Sequence, residues 1–511
     1  MKKYILIIAA LLAVWSAGAQ TDATLDKVSE TFTLNEDGSI EQNYQKVMRF
    51  HTHYSFFSLF GETFVVYNPE YQDLKINHCY TIQKDGTRVD APANAFNEVL
   101  PRDAANAPAY NHLIEMVITH TGLELGATVY LDYTITTKPE MQSTLDIDRT
   151  FSQQGANIKE YTVKVNLPEG KKLTWKMADS NVKPVVKGNS YTWTLRNLPA
   201  GAGEQLATKN GEGLPRLTAT TAESLAESLA PMTIESRELC RVDQALLTEA
   251  KCDGCKAKAI QNYIVNGLGS SNVKPEAVGY RLRQCGDVMQ SAYGTMAEKA
   301  RAMAKLMRAE GLDAEMVVVM PKNVTPNAKS ITNYLVRWDG EFYGVAQMGT
   351  VDVALRADRD DIYTLAGEKI AVEPKTLTVE NSLENHYSAK CVDELTICTL
   401  NPTENGVDAW HLPALNSSRK EKCELSSAID ENDTYVIALD GKKSLTADKN
   451  IAIANKAGKV AISIKNEADK VVVSRSISLP KSTYTAKEYA DLRKLIQAWQ
   501  SKAGREVVIT K

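Results

Sequence analysis

The spacing of apolar residues changes twice along this chain of 511 residues, from the period of strands to that of helices and back again. From about Val28 to Leu217, short segments alternate apolar and polar residues and are separated by turn signals, which is typical of a β domain and most simply of a sandwich. Segments with helical spacing follow at Ile234–Leu268 and Thr295–Glu310. Strand-like segments return from about Leu377 and end in one more helix. The sequence therefore predicts a multi-domain α+β protein.

The predicted organisation has four parts. A signal peptide occupies residues 1–19, an N-terminal β-sandwich domain 20–217, an α+β domain 233–372, and a C-terminal β-sandwich-like domain with a terminal helix 377–511. Within the α+β domain, Thr295 and Glu298 have the spacing of a capping box, which places a helix start at this point. Asp339-Gly340 joins two apolar segments and predicts a hairpin. The predicted order in this domain is therefore helix, strand and hairpin.

The first residues have the three regions of a secretory signal peptide. Lys2 and Lys3 precede an apolar run from Tyr4 to Trp15, and Ala17-Gly18-Ala19 supplies the small residues of a cleavage site. No cysteine follows to accept a lipid, and no later segment has the roughly 18 apolar residues that a membrane-spanning helix needs. We therefore expect a periplasmic or surface-exposed protein with no transmembrane segment.

The charge and the scarce reactive residues limit the classes of function. The formal net charge is −4, which gives no electrostatic reason to expect nucleic acid as a partner. The chain holds seven histidines and eight cysteines, and no histidine lies between His120 and His386. The whole α+β domain therefore lacks the side chain that most often acts as a general base.

The α+β domain resembles a bacterial transglutaminase-like domain of the papain-related superfamily. The resemblance rests on Tyr293-Gly294-Thr295-Met296-Ala297-Glu298-Lys299-Ala300 and on the order of helix, strand and hairpin. The N-terminal half, with Val66-Tyr67-Asn68-Pro69, is similar to an uncharacterised β domain that precedes such domains in bacterial envelope proteins. The tail, with Glu488-Tyr489, resembles the third module of that architecture. The resemblance implies a cysteine-protease-type α+β fold in the middle of the chain.

Active members of that family place a cysteine at the helix start, a histidine on the first hairpin strand and an aspartate on the second. Carried onto this chain, the cysteine position is Met296, the histidine position is Tyr334, and the aspartate position is Ala346 or Gln347. A thioether and a phenol replace neither a thiolate nor an imidazole. We therefore interpret the domain as a pseudoenzyme with no catalytic residues, no cofactor and no metal.

Two cysteine motifs leave alternatives open. Cys285 precedes the expected nucleophile position and is either a displaced catalytic thiol, which would need His112 or His120 from another domain, or a buried or disulfide-linked cysteine. Cys252-Asp253-Gly254-Cys255 favours a structural disulfide or free thiols over a redox pair or half of a zinc site, because no second ligand pair accompanies it. His51-Thr52-His53 has metal-compatible spacing but too few ligands.

The densest aromatic segment of the chain is Phe50–Tyr71. Strict alternation fails at Phe56-Phe57 and again near Phe60, so some of these rings are expected to point outward while others form the sandwich core. Phe56, Phe57 and Phe60 are the candidate binding patch for a protein, a peptide or a glycan.

Three functions follow from these patterns. The leading hypothesis is an exported, non-catalytic transglutaminase-like protein that acts by binding or scaffolding in the cell envelope, with an envelope protein, peptide or glycan as partner. The second is a cysteine-dependent transglutaminase or peptidase with rearranged catalytic residues. The third is carbohydrate or peptide binding through the aromatic segment Phe50–Tyr71.

Overall fold

The computed structural model describes residues 21–208, 213–235, 240–241 and 247–510. The predicted signal peptide, residues 1–19, lies outside these ranges. The described chain is mostly β-sheet with few helices. This agrees with the predicted multi-domain protein in which two β domains flank a part that contains helices. It divides into two compact units, one made of residues 1–202, 214–350 and 363–369 and the other of 203–213, 351–362 and 370–511. The chain therefore passes between the units more than once.

The first unit is built around an eight-stranded sheet with the order β12-β13-β10-β1-β2-β8-β4-β5. In β1 the burial of side chains alternates along Ala23–Leu34, as the period of two predicts for a half-buried strand. This strand pairs in parallel with β10 and antiparallel with β2. The strands of the sheet are β1 (Ala23–Leu34), β2 (Ile40–Phe50), β4 (Gln72–Ile82), β5 (Arg88–Asp90), β8 (Thr128–Thr137), β10 (Ala156–Asn166), β12 (Val185–Lys187) and β13 (Ser190–Leu198).

Two three-stranded sheets accompany it, with the orders β3-β7-β6 and β11-β14-β9. In the β3-β7-β6 sheet, Val65 and Ile118 pack in one core with Leu131 of the large sheet. In the β11-β14-β9 sheet, Ile147 and Leu217 belong to the main core, together with Phe32. Residue 217, where the N-terminal domain was predicted to end, lies inside β14. The strands are β3 (Glu62–Tyr67), β6 (Phe96–Val99), β7 (Ile114–Thr119), β9 (Asp146–Thr150), β11 (Thr174–Ala178) and β14 (Arg216–Thr220).

The middle of the chain holds most of the helices. The predicted capping box is confirmed, because Thr295 and Glu298 bond each other's backbone N–H groups at the start of α4. The helical segment predicted from Ile234 instead has a helix from Asp253, with residues 236–239 and 242–246 outside the described ranges. The helices are α1 (Leu225–Leu229), α2 (Asp253–Asn262), α3 (Cys285–Ser291) and α4 (Met296–Ala309).

A five-stranded sheet with the order β19-β18-β17-β20-β21 packs against α4. The predicted hairpin is confirmed, since Asp339 and Gly340 take φ values of 51° and 77° between β18 and β19. Its second strand is shorter than predicted and ends at Tyr343. The strands are β15 (Gly269–Ser270), β16 (Tyr293–Gly294), β17 (Glu315–Pro321), β18 (Asn333–Trp338), β19 (Glu341–Tyr343), β20 (Asp360–Thr364) and β21 (Lys369–Ile370), of which β15 and β16 form a separate pair.

The second unit contains three sheets with the orders β22-β26-β29-β28-β27, β23-β24-β31 and β25-β30. Its terminal helix, α6, buries Tyr489, Leu492, Ile496 and Trp499, the apolar face that the sequence shows, and ends before Gly504. The elements are β22 (Leu377–Glu384), β23 (Tyr387–Val392), β24 (Leu395–Leu400), α5 (Gly406–Ala409), β25 (Cys423–Glu424), β26 (Ile429–Ala438), β27 (Lys449–Asn455), β28 (Gly458–Asn466), β29 (Lys470–Leu479), β30 (Thr483–Tyr484), α6 (Tyr489–Trp499) and β31 (Glu506–Thr510).

Candidate functional site

The start of α4 is where the resemblance places a nucleophile. Met296 is the first residue of the helix, is half-buried and packs against the core of the middle domain. The Thr295 hydroxyl next to it accepts the Glu298 N–H at 3.2 Å, while the Thr295 N–H donates to Glu298 Oε2 at 2.9 Å. A thioether has no proton to lose, and the hydroxyl beside it is committed to the helix cap. This helix start therefore presents no activated nucleophile.

Tyr334 lies in β18, at the position expected for a histidine, and is half-buried against the same core. Burial raises the pKa of its phenol far above the ordinary value. The group therefore stays protonated at neutral pH and does not accept a proton as an imidazole would.

Ala346 and Gln347 lie in the loop after β19 and are exposed, so neither occupies the second hairpin strand. The loop is held instead by the buried Gln261 of α2, whose amide donates to the carbonyl oxygens of Gly344 at 2.9 Å and Gly349 at 2.8 Å. A neutral amide therefore fixes the segment where the transglutaminase-like resemblance places a carboxylate. The sequence did not single out Gln261, because nothing in its spacing distinguishes it from an ordinary polar helix residue.

Glu298 is an ionisable group buried directly under the helix start. It accepts hydrogen bonds from Tyr110 Oη at 2.5 Å and from Arg283 Nε at 3.0 Å. Burial alone would raise the pKa of this carboxyl, but the bonds from Arg283 and Tyr110 outweigh it and the pKa lies below its usual value. A carboxylate with its partners already in place is a structural anchor and not a proton donor.

The cysteines near this site are oxidised. Cys285, the candidate for a displaced thiol, forms a disulfide with Cys240 and is 3% exposed. Cys252 is joined to Cys255. The free thiols are Cys79, Cys391, Cys398 and Cys423. Among the described residues of the middle domain, none is therefore a free thiol.

A thiol and an imidazole do meet, but in the N-terminal β domain. Cys79 Sγ lies 3.8 Å from His120 Nδ1, and His120 Nε2 lies 2.9 Å from Thr63 Oγ1. The Lys46 ammonium donates to the same Thr63 oxygen at 2.6 Å. The Thr63 oxygen can accept from Lys46 and still either donate to Nε2 or accept from it, so both neutral tautomers of His120 fit these contacts. In the tautomer with the proton on Nδ1, the imidazole donates to Cys79 and does not deprotonate it.

The pKa values of this cluster also oppose activation of the Cys79 thiol. Burial lowers the pKa of His120 to about 3, with the Lys46 charge as a further cause, and burial raises the pKa of the Cys79 thiol. An activated pair needs the opposite shifts, a low thiol pKa beside an imidazolium. The pair is therefore neutral at physiological pH. Sequence spacing could not find it, because Cys79 on β4 and His120 after β7 belong to different sheets.

His120 also lines a cleft of about 560 Å³, most of whose other lining residues come from the aromatic segment Phe50–Tyr71. Phe57 is 79% exposed and Phe64 57% exposed, and both rings line this cleft. Phe56 and Phe60, the other members of the predicted patch, are each 8% exposed. The turn Ser55–Leu59 sends Phe56 against Phe50, at a ring distance of 5.9 Å, and leaves Phe57 outside. The predicted patch therefore separates into core residues and one exposed ring, with Phe64 as its neighbour.

Strand β3, which supplies Glu62 and Phe64 to the cleft, lies at one edge of its sheet. Val65 and Tyr67 point inward and are buried, while Phe64 and Val66 point outward and are exposed. The polar groups of the cleft are the side chains of Ser58, Glu62, Thr119 and His120. An edge strand with outward apolar side chains is a surface on which another strand can pair.

The histidines of the segment His51-Thr52-His53 make separate contacts. His51 bonds Thr24 Oγ1 at 2.8 Å, and His53 packs on Phe57. In the described ranges no group of three or more His, Cys, Asp and Glu side chains is arranged to hold a metal ion.

The helices offer no membrane-spanning segment within the described part of the chain. None of those described is long and apolar enough to cross a bilayer.

Comparison with known proteins places the chain in a family. Residues 36–202 match the family described as a domain of unknown function with a solved structure, DUF3857, and residues 394–509 match a second such family, DUF3858. The crystal structure of "a putative protease" from Parabacteroides distasonis has a TM-score of 0.81 and 35% sequence identity, and the match covers 96% of this chain and 99% of that one. The chain therefore belongs to the same family as that protein, and it carries a DUF3857 and a DUF3858 domain.

Two further comparisons add no function. An M1 zinc metallopeptidase from Deinococcus radiodurans has a TM-score of 0.20 and 10% identity over 50% of this chain and 57% of its own, which is too low to carry an argument. No curated protein matches the sequence.

Proposed function

We propose that this protein is an exported, non-catalytic member of its family, in which a transglutaminase-like middle domain has lost its chemistry and the chain acts by binding. The observation that carries the proposal is the helix start of α4, where Met296 stands beside a hydroxyl that caps the helix. The order of α4, β17 and the β18–β19 hairpin agrees with the transglutaminase-like resemblance. Export rests on the predicted signal peptide and implies a periplasmic or surface-exposed protein.

The ligand that fits the aromatic cleft best is an extended peptide. Phe57 and Phe64 expose large apolar area, which a partner side chain can cover. The open edge of β3 offers backbone groups to a peptide strand, a common mode of peptide binding in which pockets for alternate side chains give selectivity. The Parabacteroides relative is described as "a putative protease", and a family member that binds peptides without cleaving them is consistent with this proposal.

Binding is tested with a library of unstructured peptides and a glycan array. The double variant Phe57→Ala/Phe64→Ala should reduce peptide binding at least tenfold, since large aromatic anchors dominate such interfaces. A matched control is Val185→Ala/Val186→Ala, which removes two exposed apolar residues from β12 at one edge of the large sheet and should leave binding unchanged. If the protein binds glycans and no peptide, the ligand of the cleft is a glycan and the peptide proposal is wrong. Absence of binding to either library would contradict the proposal.

A cysteine hydrolase with relocated residues is the second candidate, because Cys79 and His120 are in contact beside the cleft. The neutral state of that pair opposes it. The test incubates the purified mature protein with a peptide library and, separately, with a glutamine-bearing acceptor protein and a labelled amine. We expect no turnover. Turnover that is abolished both by iodoacetamide and by Cys79→Ser would overturn the non-catalytic proposal and establish the second candidate.

A further inference from the structure

The disulfide Cys252–Cys255 lies at the start of α2, a helix of ten residues, and both cysteines are exposed. Cys252 is the N-cap residue, and its sulfur accepts the backbone N–H of Cys255 at 3.0 Å. A sulfur in this position lies at the positive end of the helix dipole and already holds a hydrogen bond that strengthens when the sulfur becomes negative. A thiolate released at Cys252 would therefore be stabilised.

The second disulfide of the chain provides the contrast. Cys240 and Cys285 are 7% and 3% exposed and belong to the core of the middle domain. A thiolate in solution reaches a buried bridge only when the domain opens, whereas it reaches an exposed bridge directly. The two disulfides thus differ in their exposure to solvent, which decides how fast each one exchanges with an external thiol.

We propose that Cys252–Cys255 is a thiol–disulfide exchange site whose substrates are protein or peptide dithiols. A client thiolate attacks Cys255 Sγ, the bond between the two bridge sulfurs breaks, and Cys252 leaves as a thiolate. The client's second thiolate then attacks the client sulfur of the mixed disulfide and releases Cys255. The client becomes a disulfide and loses two electrons and two protons, and Cys252 and Cys255 gain them as two thiols.

The surface beside the bridge indicates which clients are favoured. A cleft of about 650 Å³ is lined by Asp253, Gly254, Asp313, Trp338 and Asp339, so it begins at the residues between the two cysteines. Lys256 lies 3.6 Å from Asp253 and offsets part of this negative charge. Asp313 and Asp339 are exposed, whereas Trp338, which also lines the cleft, is half-buried. Cysteines flanked by lysine or arginine should therefore react faster than cysteines flanked by acidic residues.

The first experiment compares the two bridges in the full mature chain. The protein is equilibrated in glutathione buffers of stepwise decreasing potential, its thiols are alkylated, and each cysteine is assigned by mass spectrometry. We expect Cys252 and Cys255 to be alkylated in buffers that leave Cys240 and Cys285 oxidised. Simultaneous reduction of both bridges, or reduction of Cys252–Cys255 only after the protein is denatured, would overturn the proposal.

The second experiment measures the exchange itself. Two synthetic dithiol peptides of the same length, one cationic and one anionic, are mixed with the oxidised protein, and the formation of peptide disulfide is followed. We expect the cationic peptide to react at least tenfold faster at low salt, and Asp313→Asn/Asp339→Asn should reduce this ratio. The variant Cys252→Ser/Cys255→Ser should abolish the reaction, while Cys391→Ser, at an exposed free thiol, should leave it unchanged. If the Cys252→Ser/Cys255→Ser variant oxidises the peptides as fast as the wild type does, the bridge has no exchange activity and the proposal is wrong.

Discussion

The Tyr110 hydroxyl donates a hydrogen bond of 2.5 Å to Glu298 Oε1, across 188 positions of sequence. Tyr110 belongs to the loop before β7, and Glu298 is the third residue of α4. One bond therefore ties the N-terminal β domain to the start of α4, where the transglutaminase-like resemblance places a nucleophile. Arg283 completes the contact, because its guanidinium bonds the same carboxylate and lies over the Tyr110 ring at 5.3 Å.

Tyr110→Phe removes the donor and leaves a buried carboxylate with fewer partners. We expect the free energy of unfolding of this unit to fall by about 1–3 kcal/mol, the usual cost of an unmade bond to a buried charged group. Calorimetric or urea unfolding of the mature protein measures the change. Tyr54→Phe, at a ring that is 58% exposed, is the matched control and should change stability by less than about 0.5 kcal/mol. Equal stabilities of the two variants would show that the bond contributes nothing.

The interior of the C-terminal unit contains two neighbouring carboxyl groups, Glu431 and Asp433, and burial raises the pKa of both. Glu431 is 1% exposed, and burial raises its pKa to about 8, against an ordinary value of 4.5. The folded state therefore holds a proton that the unfolded state has released, and stability falls as the pH rises from about 4.5 to 8.

Glu431→Gln isolates this effect, since the amide is uncharged at every pH and one of its atoms can still accept the Val407 N–H. We expect the melting temperature of wild type relative to the variant to decrease by several degrees between pH 5 and pH 8. Differential scanning calorimetry of both proteins across this range is the measurement. A constant difference between them would contradict the raised pKa.

Lys46 presents the reverse case. Burial lowers its pKa to about 8 from 10.5, so the folded state gives up its proton more readily than the unfolded state does. Stability should therefore rise between about pH 8 and 10.5, where only the unfolded state keeps the proton. Lys46→Met removes this dependence and should stabilise the protein at pH 7 by about 1–2 kcal/mol. Urea titrations of both proteins at pH 7 and pH 10 provide the test, and a destabilised variant at pH 7 would show that the bond to Thr63 outweighs the burial of charge.

Two features require a glycine at position 406, its left-handed backbone conformation and the close approach of Glu431. Its φ is 67°, and a Cβ at this position would collide with the Glu431 carboxyl group. Gly406→Ala should destabilise the C-terminal unit by about 2–4 kcal/mol, which combines left-handed strain with overpacking. Gly441→Ala is the control, because Gly441 has a φ of 83° but nothing within 4 Å of the point that an added methyl group would occupy, so only the strain of about 1–2 kcal/mol should appear. Unfolding in urea distinguishes the two, and equal losses would mean that Glu431 moves aside freely.

Local features of the fold could be predicted because the residues that determine them are close in sequence. Thr295 and Glu298 cap the same helix turn, and Asp339 and Gly340 adopt positive φ values in the same hairpin. The absence of a histidine between His120 and His386 was also visible directly.

Contacts between distant segments could not be predicted in this way. Nothing near Cys285 indicates that Cys240 is its partner, and nothing near Cys79 indicates that His120 approaches it from another sheet. The failure of alternation at Phe56-Phe57 predicts that some rings point outward, but the choice of Phe57 over Phe56 depends on a single irregular turn. These features are set by tertiary packing, which one sequence alone specifies only indirectly.

The pairing of β1 has a consequence for the order of folding. This strand is the first described element of the chain, yet one of its two neighbours, β10, begins at Ala156. A chain emerging from the ribosome therefore holds β1 with one open edge until more than a hundred further residues have followed, and the central sheet closes late because of this long-range pairing. A fragment that stops before Ala156 keeps that edge exposed, so such fragments should aggregate where the complete chain folds.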